Sequence, residues 1–184
     1  MALANALDRA SVRNMLAEVI PGLWVGGHNA ASALGVLKQL NIRACVNCTE
    51  DGHAHPSQLR YYHIAVSDSS TVDIVSHVSN LLPWVERQLS AGDSVLIYCK
   101  QGVSRSCTVM LALLLHLRPT WSLFHAWQTL KRVRKHAKPN HGFLKQLQNL
   151  EHLLRGEISV QIAKHGFVRS SSAPSLPLQS ARQV

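Results

Sequence analysis

Residues 98–106 read YCKQGVSRS and gather the side chains best suited to chemistry in the chain. Cys99 is a nucleophile once its thiol ionises. Arg105, six positions on, carries a fork of donors that matches phosphate oxygens in a bidentate way. Gly102 allows close backbone approach. The successive N–H groups of Lys100, Gln101, Gly102, Val103, Ser104 and Arg105 can curl inward as an anion nest. A thiol facing such amides and an arginine has a lowered pKa. A thiolate beneath a bound phosphorus is placed for in-line attack. Ser106 can donate a hydrogen bond to that sulfur and ease its departure.

The flanks place this bend. SVLIY before it is short and partly β-branched, and predicts a buried strand; CTVMLALLLHL after it is longer and rich in Leu and Ala, and predicts a helix. The bend therefore opens a helix, where unsatisfied amides and the positive end of the dipole point at one spot. Other elements follow by pattern. LWVG over 23–26, RACVNCT and YYHIAV read as strands. Asn29 predicts a cap for a helix over 30–40. Helical spacing runs over 72–91 with Pro83 as a point of kinking, and Gly92 and Asp93 stop it. Ser122 opens a helix over 123–133, and a last helix covers 142–154. Alternating strands and helices imply an α/β fold with a mainly parallel central sheet flanked by helices. In such sheets ligands lie at the carboxyl ends of strands, where the bend sits.

Composition bounds the partners. The 184 residues suit one domain with tails, and 46% are hydrophobic. The formal net charge of +9 favours an anionic partner. Aromatics make up only 5%, and no stretch interleaves them with Arg, so nucleic acid is not expected as a partner. Cys45 and Cys48 have CxxC spacing, with His53, His55 and His63 nearby, but no second pair completes a zinc site. The four cysteines read as reduced, mostly buried thiols of an intracellular protein. No secretory signal or membrane span is evident, so a cytoplasmic protein is expected, with nuclear entry the alternative reading of KRVRKHAK at 131–138. The plainer reading of that run is a solvated helix face and turn. Trp84, Trp121 and Trp127 read as core. The expected organisation is a leader over 1–18, helical in pattern, a domain over 19–155, and a Ser- and Pro-containing disordered tail over 156–184.

The stretch YCKQGVSRS resembles the signature of cysteine-dependent protein phosphatases, and its Ser-Arg-Ser ending resembles their dual-specificity branch, especially its small atypical members. The resemblance extends through LWVGG, VNCTED, SDSSTVDI and PNHGFLKQL. It implies a cysteine-phosphatase-like fold and a two-step, metal-independent reaction with no cofactor. Cys99 matches the nucleophile, Arg105 the transition-state clamp and Ser106 the hydroxyl after the arginine. The family's general acid lies on a loop about thirty residues upstream, where Asp68 stands. Asp73 is the second candidate, and its simpler reading is a first-turn carboxylate favoured by the helix dipole. Phosphorylated proteins bearing phosphotyrosine, phosphoserine or phosphothreonine are the implied substrates. A phosphoinositide or RNA 5′-phosphate substrate stays open, and so does a phosphate-binding scaffold with little turnover. The last is favoured by a departure: most family members have His before the nucleophile, and here it is Tyr98, whose hydroxyl can hydrogen-bond but not carry positive charge. A less acidic Cys99 than in His-containing relatives is expected. Cys48 is a candidate to trap oxidised Cys99 as a disulfide, against the plainer reading of a small buried residue. Oligomeric state is not legible in the sequence.

Overall fold

The computed structural model describes residues 15–55 and 57–171. Its centre is a five-stranded sheet of β1 (Leu16–Ile20), β2 (Leu23–Gly27), β3 (Ile42–Asn47), β4 (Arg60–His63) and β5 (Ser94–Cys99), in the order β1-β2-β5-β3-β4. Only β1 runs antiparallel to its neighbour; the other pairings are parallel. β5 therefore lies in the middle, and its carboxyl end delivers Cys99. Its residues alternate between two cores. Val95, Ile97 and Cys99 join the larger core, while Leu96 and Tyr98 join the smaller one. This is the period of two expected of a strand buried on both faces.

The smaller core lies under α1 (His28–Ser32) and α2 (Leu34–Gln39). The larger lies under α3 (Val78–Ser90), α4 (Arg105–Leu117), α5 (Leu123–Val133) and α6 (His141–Arg155). α4 is the central helix, with every residue from Arg105 to Leu115 buried. The same alternation separates the CxxC pair: Cys45 packs into the smaller core and Cys48 into the larger one with Cys99. A three-residue spacing on a strand points two thiols to opposite faces. Cys48 thus shares a core with Cys99, and all four cysteines are free thiols. No helix among the described residues is long and apolar enough to cross a membrane.

Several expectations are corrected. The leader was expected to be helical through residue 18, but Leu16–Ile20 is a strand; residues 1–14 of that expectation lie outside the described residues. The turn at Pro21–Gly22, with Gly22 at φ 77°, makes a hairpin with β2 and overrides the helical pattern. The helix expected over 30–40 is two short helices broken at Ala33, and the first begins at His28 with Gly27, not Asn29, at its N-cap. Gly35 weakens helix in the second segment. α3 starts six residues later than expected, after a 3₁₀ turn at Val75–His77. There the amides of Ile74 and Val75 donate to Gln146 Oε1 (3.1 and 3.3 Å) instead of entering an α-helical ladder.

The largest correction concerns the tail. Val160–Ala163 (β6) and Gly166–Arg169 (β7) form an antiparallel hairpin, so the expected disorder does not hold there; residues 172–184 lie outside the described residues. A lone two-stranded hairpin is marginal in water, and docking stabilises this one. Phe167 meets Trp127 edge-on, with ring centres 5.6 Å apart. Gln148 donates to the Val160 carbonyl at 3.0 Å. Glu151, fully buried, accepts from the Leu123 amide (2.6 Å), the Ser159 amide (2.9 Å) and the Ser159 hydroxyl (2.6 Å). One carboxylate thereby ties the start of α5 to the approach to the hairpin. Glu151→Ala should cost about 3 kcal/mol, since unsatisfied buried donors cost about 1–3 kcal/mol each. A urea midpoint unchanged from the wild type would show that these donors find other partners.

Candidate active site

The bend between β5 and α4 is built from both sides. Its amides turn towards Cys99, with Gly102 N donating to Cys99 Sγ at 3.3 Å. Its carbonyls turn outward, and five in succession are taken up by the scaffold. His28 N holds Lys100 O (3.2 Å), and Thr108 N holds Ser104 O (2.9 Å). Arg134 holds Gln101 O through Nη2 (3.2 Å) and Gly102 O through Nε (3.1 Å). Lys138 N holds Val103 O at 2.8 Å. Gly102 makes this curvature possible. Its φ is +69°, and a Cβ there would lie 2.4 Å from the Gly26 carbonyl carbon and 2.7 Å from Arg134 Nη2. Both the left-handed backbone and the contact exclude a side chain.

Cys99 is 2% exposed. Burial alone would raise its thiol pKa. Hydrogen bonds from the Ser106 side chain and from the amides of Ser106, Val103 and Gly102 outweigh that burial and bring it below its ordinary value. Ser106 Oγ lies 3.2 Å from Cys99 Sγ. Ser104 occupies the N-cap of α4, but its side chain makes no cap bond. It donates instead to Asp68 Oδ1 at 2.7 Å. The first turn of α4 thus presents its amides beside the sulfur without a side-chain cap, the arrangement that favours an anion. Arg105 is also buried. Its Nη1 donates to Val66 O at 3.0 Å, while its Nε has no hydrogen-bond partner among the described residues and lies 3.9 Å from Asp68 Oδ2.

The structure brings Asp68 to the loop and leaves Asp73 elsewhere. Asp73 Oδ1 accepts from Ser76 N at 3.1 Å, within the 3₁₀ turn that follows it. The segment carrying Asp68 is held by the start of α6. Asn140 Nδ2 donates to Asp68 Oδ1 at 2.9 Å, and Asn140 N donates to Ser104 Oγ at 3.1 Å. Gln146 adds a bond from Nε2 to Val72 O at 2.7 Å. Gly142 lets the two segments touch, because a Cβ there would lie 1.9 Å from Ser70 O. Tyr98 lies on the other face of β5 from Cys99. Its hydroxyl is buried and has no hydrogen-bond partner among the described residues. Burial pushes its phenol well above the ordinary value.

Residues 23–152 match the family model described as "Dual specificity phosphatase, catalytic domain". The chain belongs to the dual specificity phosphatase family. It is 35% identical to human dual specificity phosphatase 28 over 150 residues, covering 79% of this chain and 83% of that protein. The crystal structure of that human protein superposes with a TM-score of 0.72 at 32% identity, over 76% of this chain and 95% of that one. A mouse dual specificity phosphatase complexed with zinc tungstate gives a TM-score of 0.72 at 33% identity, over 78% and 90% of the two chains. Identity to the Arabidopsis thaliana dual specificity protein phosphatase PHS1 is 31% over 170 residues; these cover 86% of this chain but only 18% of PHS1. The matched domain is of the protein phosphatase class of hydrolases.

Sequence reasoning missed four residues that shape this dual specificity phosphatase site: Arg134, Asn140, Gly142 and Gln146. Arg134 was hidden in a basic run that reads as a solvated face. Part of that run is structural: Arg134 is 5% exposed, and Lys131 donates to Ala137 O and sits over the Trp127 ring. The other three lie in PNHGFLKQL, a block that carried the resemblance without indicating what it held. Arg134→Met should weaken vanadate binding about tenfold, the worth of roughly one charge-assisted hydrogen bond; undiminished affinity would show that the loop carbonyls need no such support. Alkylation of Cys99 requires thiolate, so its rate rises with pH through the thiol pKa. The midpoint should fall below that of an ordinary thiol and move up in Ser106→Ala, and a midpoint unmoved by that change would remove Ser106 from the account.

Proposed function

We propose that the protein hydrolyses phosphate monoesters on protein tyrosine, serine and threonine side chains through a cysteinyl-phosphate, with no step that calls for a metal. The observation that best supports this is the convergence on Cys99 Sγ of loop amides at the uncapped start of α4, with the buried Arg105 in the same turn carrying an Nε that has no hydrogen-bond partner among the described residues. A phosphate dianion in the bend has its charge met by these donors, which gain strength from exclusion of water. The Cys99 thiolate attacks phosphorus; the S–P bond forms as the ester P–O bond breaks. Asp68, protonated, gives its proton to the leaving oxygen. Its Oδ1 is engaged by Ser104 and Asn140, so Oδ2 is the oxygen suited to carry the proton. Water then attacks phosphorus and loses a proton to Asp68. The sulfur departs as thiolate beside the Ser106 hydroxyl, and inorganic phosphate is released. The complex of the mouse relative with zinc tungstate supports an oxyanion site in this fold.

Hydrolysis of an aryl phosphate in the presence of chelator tests the reading. The wild type should turn over and Cys99→Ser should be inactive. Asp68→Asn should lose about 10²–10⁴-fold on poor leaving groups, the usual worth of a general acid, while still binding vanadate. If Asp73→Asn shows that loss instead, the acid is misassigned. A second reading, a phosphate-binding module with little turnover, is favoured by Tyr98. Vanadate binding without hydrolysis, with turnover appearing in Tyr98→His, would establish it.

A further inference from the structure

Arg43 stands at an irregularity in β3. Ile42 lies opposite Ser94 of β5 and Ala44 opposite Val95, so β3 advances two residues where β5 advances one. This is a β-bulge with Arg43 as the extra residue. Its effect shows in the packing. Ile42 and Cys45 both enter the smaller core, and Ala44 and Val46 enter the larger one. Regular alternation back from Cys45 would send residue 43 into the smaller core. The bulge gives that place to Ile42 and leaves Arg43 exposed, in neither core.

Arg43 lines instead a cleft of about 520 Å³ that also takes in Asn41, Ser57, Gln58, Arg60 and Asp93. The cleft lies where β3, β4 and β5 begin. These strands are parallel, so it is at the opposite end of the sheet from Cys99. Asn41 fixes its base. Its φ is 54°, in the left-handed region that Asn tolerates. Its Nδ2 donates to Gly92 O at 2.9 Å, and its carbonyl accepts from Ser94 N at 3.0 Å. Asp93 is the only acidic residue among those lining the cleft, and it is ion-paired with Arg60. Arg43 Nε reaches only Asn41 Oδ1, at 3.4 Å, and no carboxylate among the described residues pairs with its guanidinium. Lys38 of α2 adds a second cation, donating to Gln58 Oε1 at 3.4 Å. The cleft therefore holds cations and donors in excess of the one carboxylate that could answer them.

We propose that this cleft docks an acidic segment of the phosphoprotein substrate, a run of Asp or Glu remote in sequence from the phosphorylated residue. The inference rests on the reading of the Cys99 loop as the phosphate site. The Arg43 fork suits a carboxylate in a bidentate way. β5 separates the two sites, and five steps of about 3.3 Å from Ser94 to Cys99 make roughly 16 Å. A peptide passing over the surface follows a path roughly twice as long, so about ten extended residues must lie between its two contacts. Two contacts on one chain raise affinity through effective concentration without any change at the loop. The net charge of +9 attracts acidic segments to the surface in general. The bulge gives that attraction a fixed place far from the reacting phosphate.

Binding to full-length Cys99→Ser measures this independently of turnover. The probes are a labelled tract of about six Glu residues, a phosphotyrosine peptide with Ala flanks, and the two joined through about twelve Gly and Ser residues, a flexible span long enough for both sites. The linked tract should tighten phosphopeptide binding about three- to fivefold, as expected for partly exposed ion pairs, and the gain should shrink in high salt. Arg43→Glu should abolish the gain. Arg132→Glu, at an exposed position of α5, makes the same change in net charge elsewhere and should leave most of it. The thermal midpoint reports whether each variant is folded. Lys38→Glu, exposed on α2, should remove part of the gain and replaces Arg43→Glu if that change disturbs the bulge. No gain from the linked tract, or a gain reduced equally by Arg132→Glu, overturns the proposal, because the second outcome is attraction to net charge alone. A different result would reject the Cys99 loop as the phosphate site and leave the cleft standing: phosphopeptides that bind no better than their unphosphorylated forms, while the Glu tract alone still binds and is lost in Arg43→Glu.

Discussion

A backbone that aims its amides at one anion must turn its carbonyls the other way, and in a buried bend those carbonyls need donors. The rest of this structure is arranged around that requirement. A carbonyl facing an apolar core without a partner is costly. The five carbonyls from Lys100 to Ser104 are met by four parts of the scaffold: the start of α1, the guanidinium of Arg134, which holds two of them, the amide of Lys138 and the Thr108 amide of α4. The loop is therefore held open by its outer surface. Its inner surface is occupied by the Cys99 sulfur, which accepts from the Gly102 amide. That is the preorganisation an oxyanion site requires, since no donor has to reorient when charge arrives.

The same segments position Asp68. The stretch from Arg134 to Asn140 leaves α5 by bonding the loop carbonyls, and enters α6 by bonding Ser104 and Asp68. The loop and Asp68 are therefore referred to one short piece of backbone. Gln146, one and a half turns into α6, fixes the far end of the acid-bearing segment through Val72, Ile74 and Val75. α6 is in turn tied to α5 by Glu151, through the Leu123 amide. A chain of packed and hydrogen-bonded contacts thus runs from Glu151 to Asp68, and the hairpin beyond α6 is anchored to its first link.

The layered fold, β5 as a buried strand and the Cys99–Arg105 bend were legible because each rests on local pattern: a short β-branched run, an apolar helix, and a glycine between charged residues. Asp68 was reached through the resemblance and a loop position. What was not legible depends on contacts between distant segments. Arg134 reads as one cation among several until burial singles it out. The hairpin at 160–169 follows a charged helix end and precedes a Ser-rich segment, so its strands are too short to announce themselves. They exist because Trp127 and α6 offer a surface to cover. At residue 16 the reverse occurred: a plausible helical pattern lost to a Pro-Gly turn and a waiting sheet edge.

Tyr98 shows how far position can outweigh residue type. Strand geometry sends its ring to the face opposite Cys99, so it cannot donate to the sulfur. Raised by burial, the phenol stays neutral and contributes no charge to the loop. The lowered pKa of Cys99 is carried by Ser106 and the loop amides, against the cost of burial. Tyr98 still has a route to the loop, through packing. It shares the smaller core with Ala30 and Ala31 of α1 and lies 6.4 Å from the His28 ring, and the His28 amide holds the Lys100 carbonyl. A residue here acts on the site by setting how α1 seats against β5.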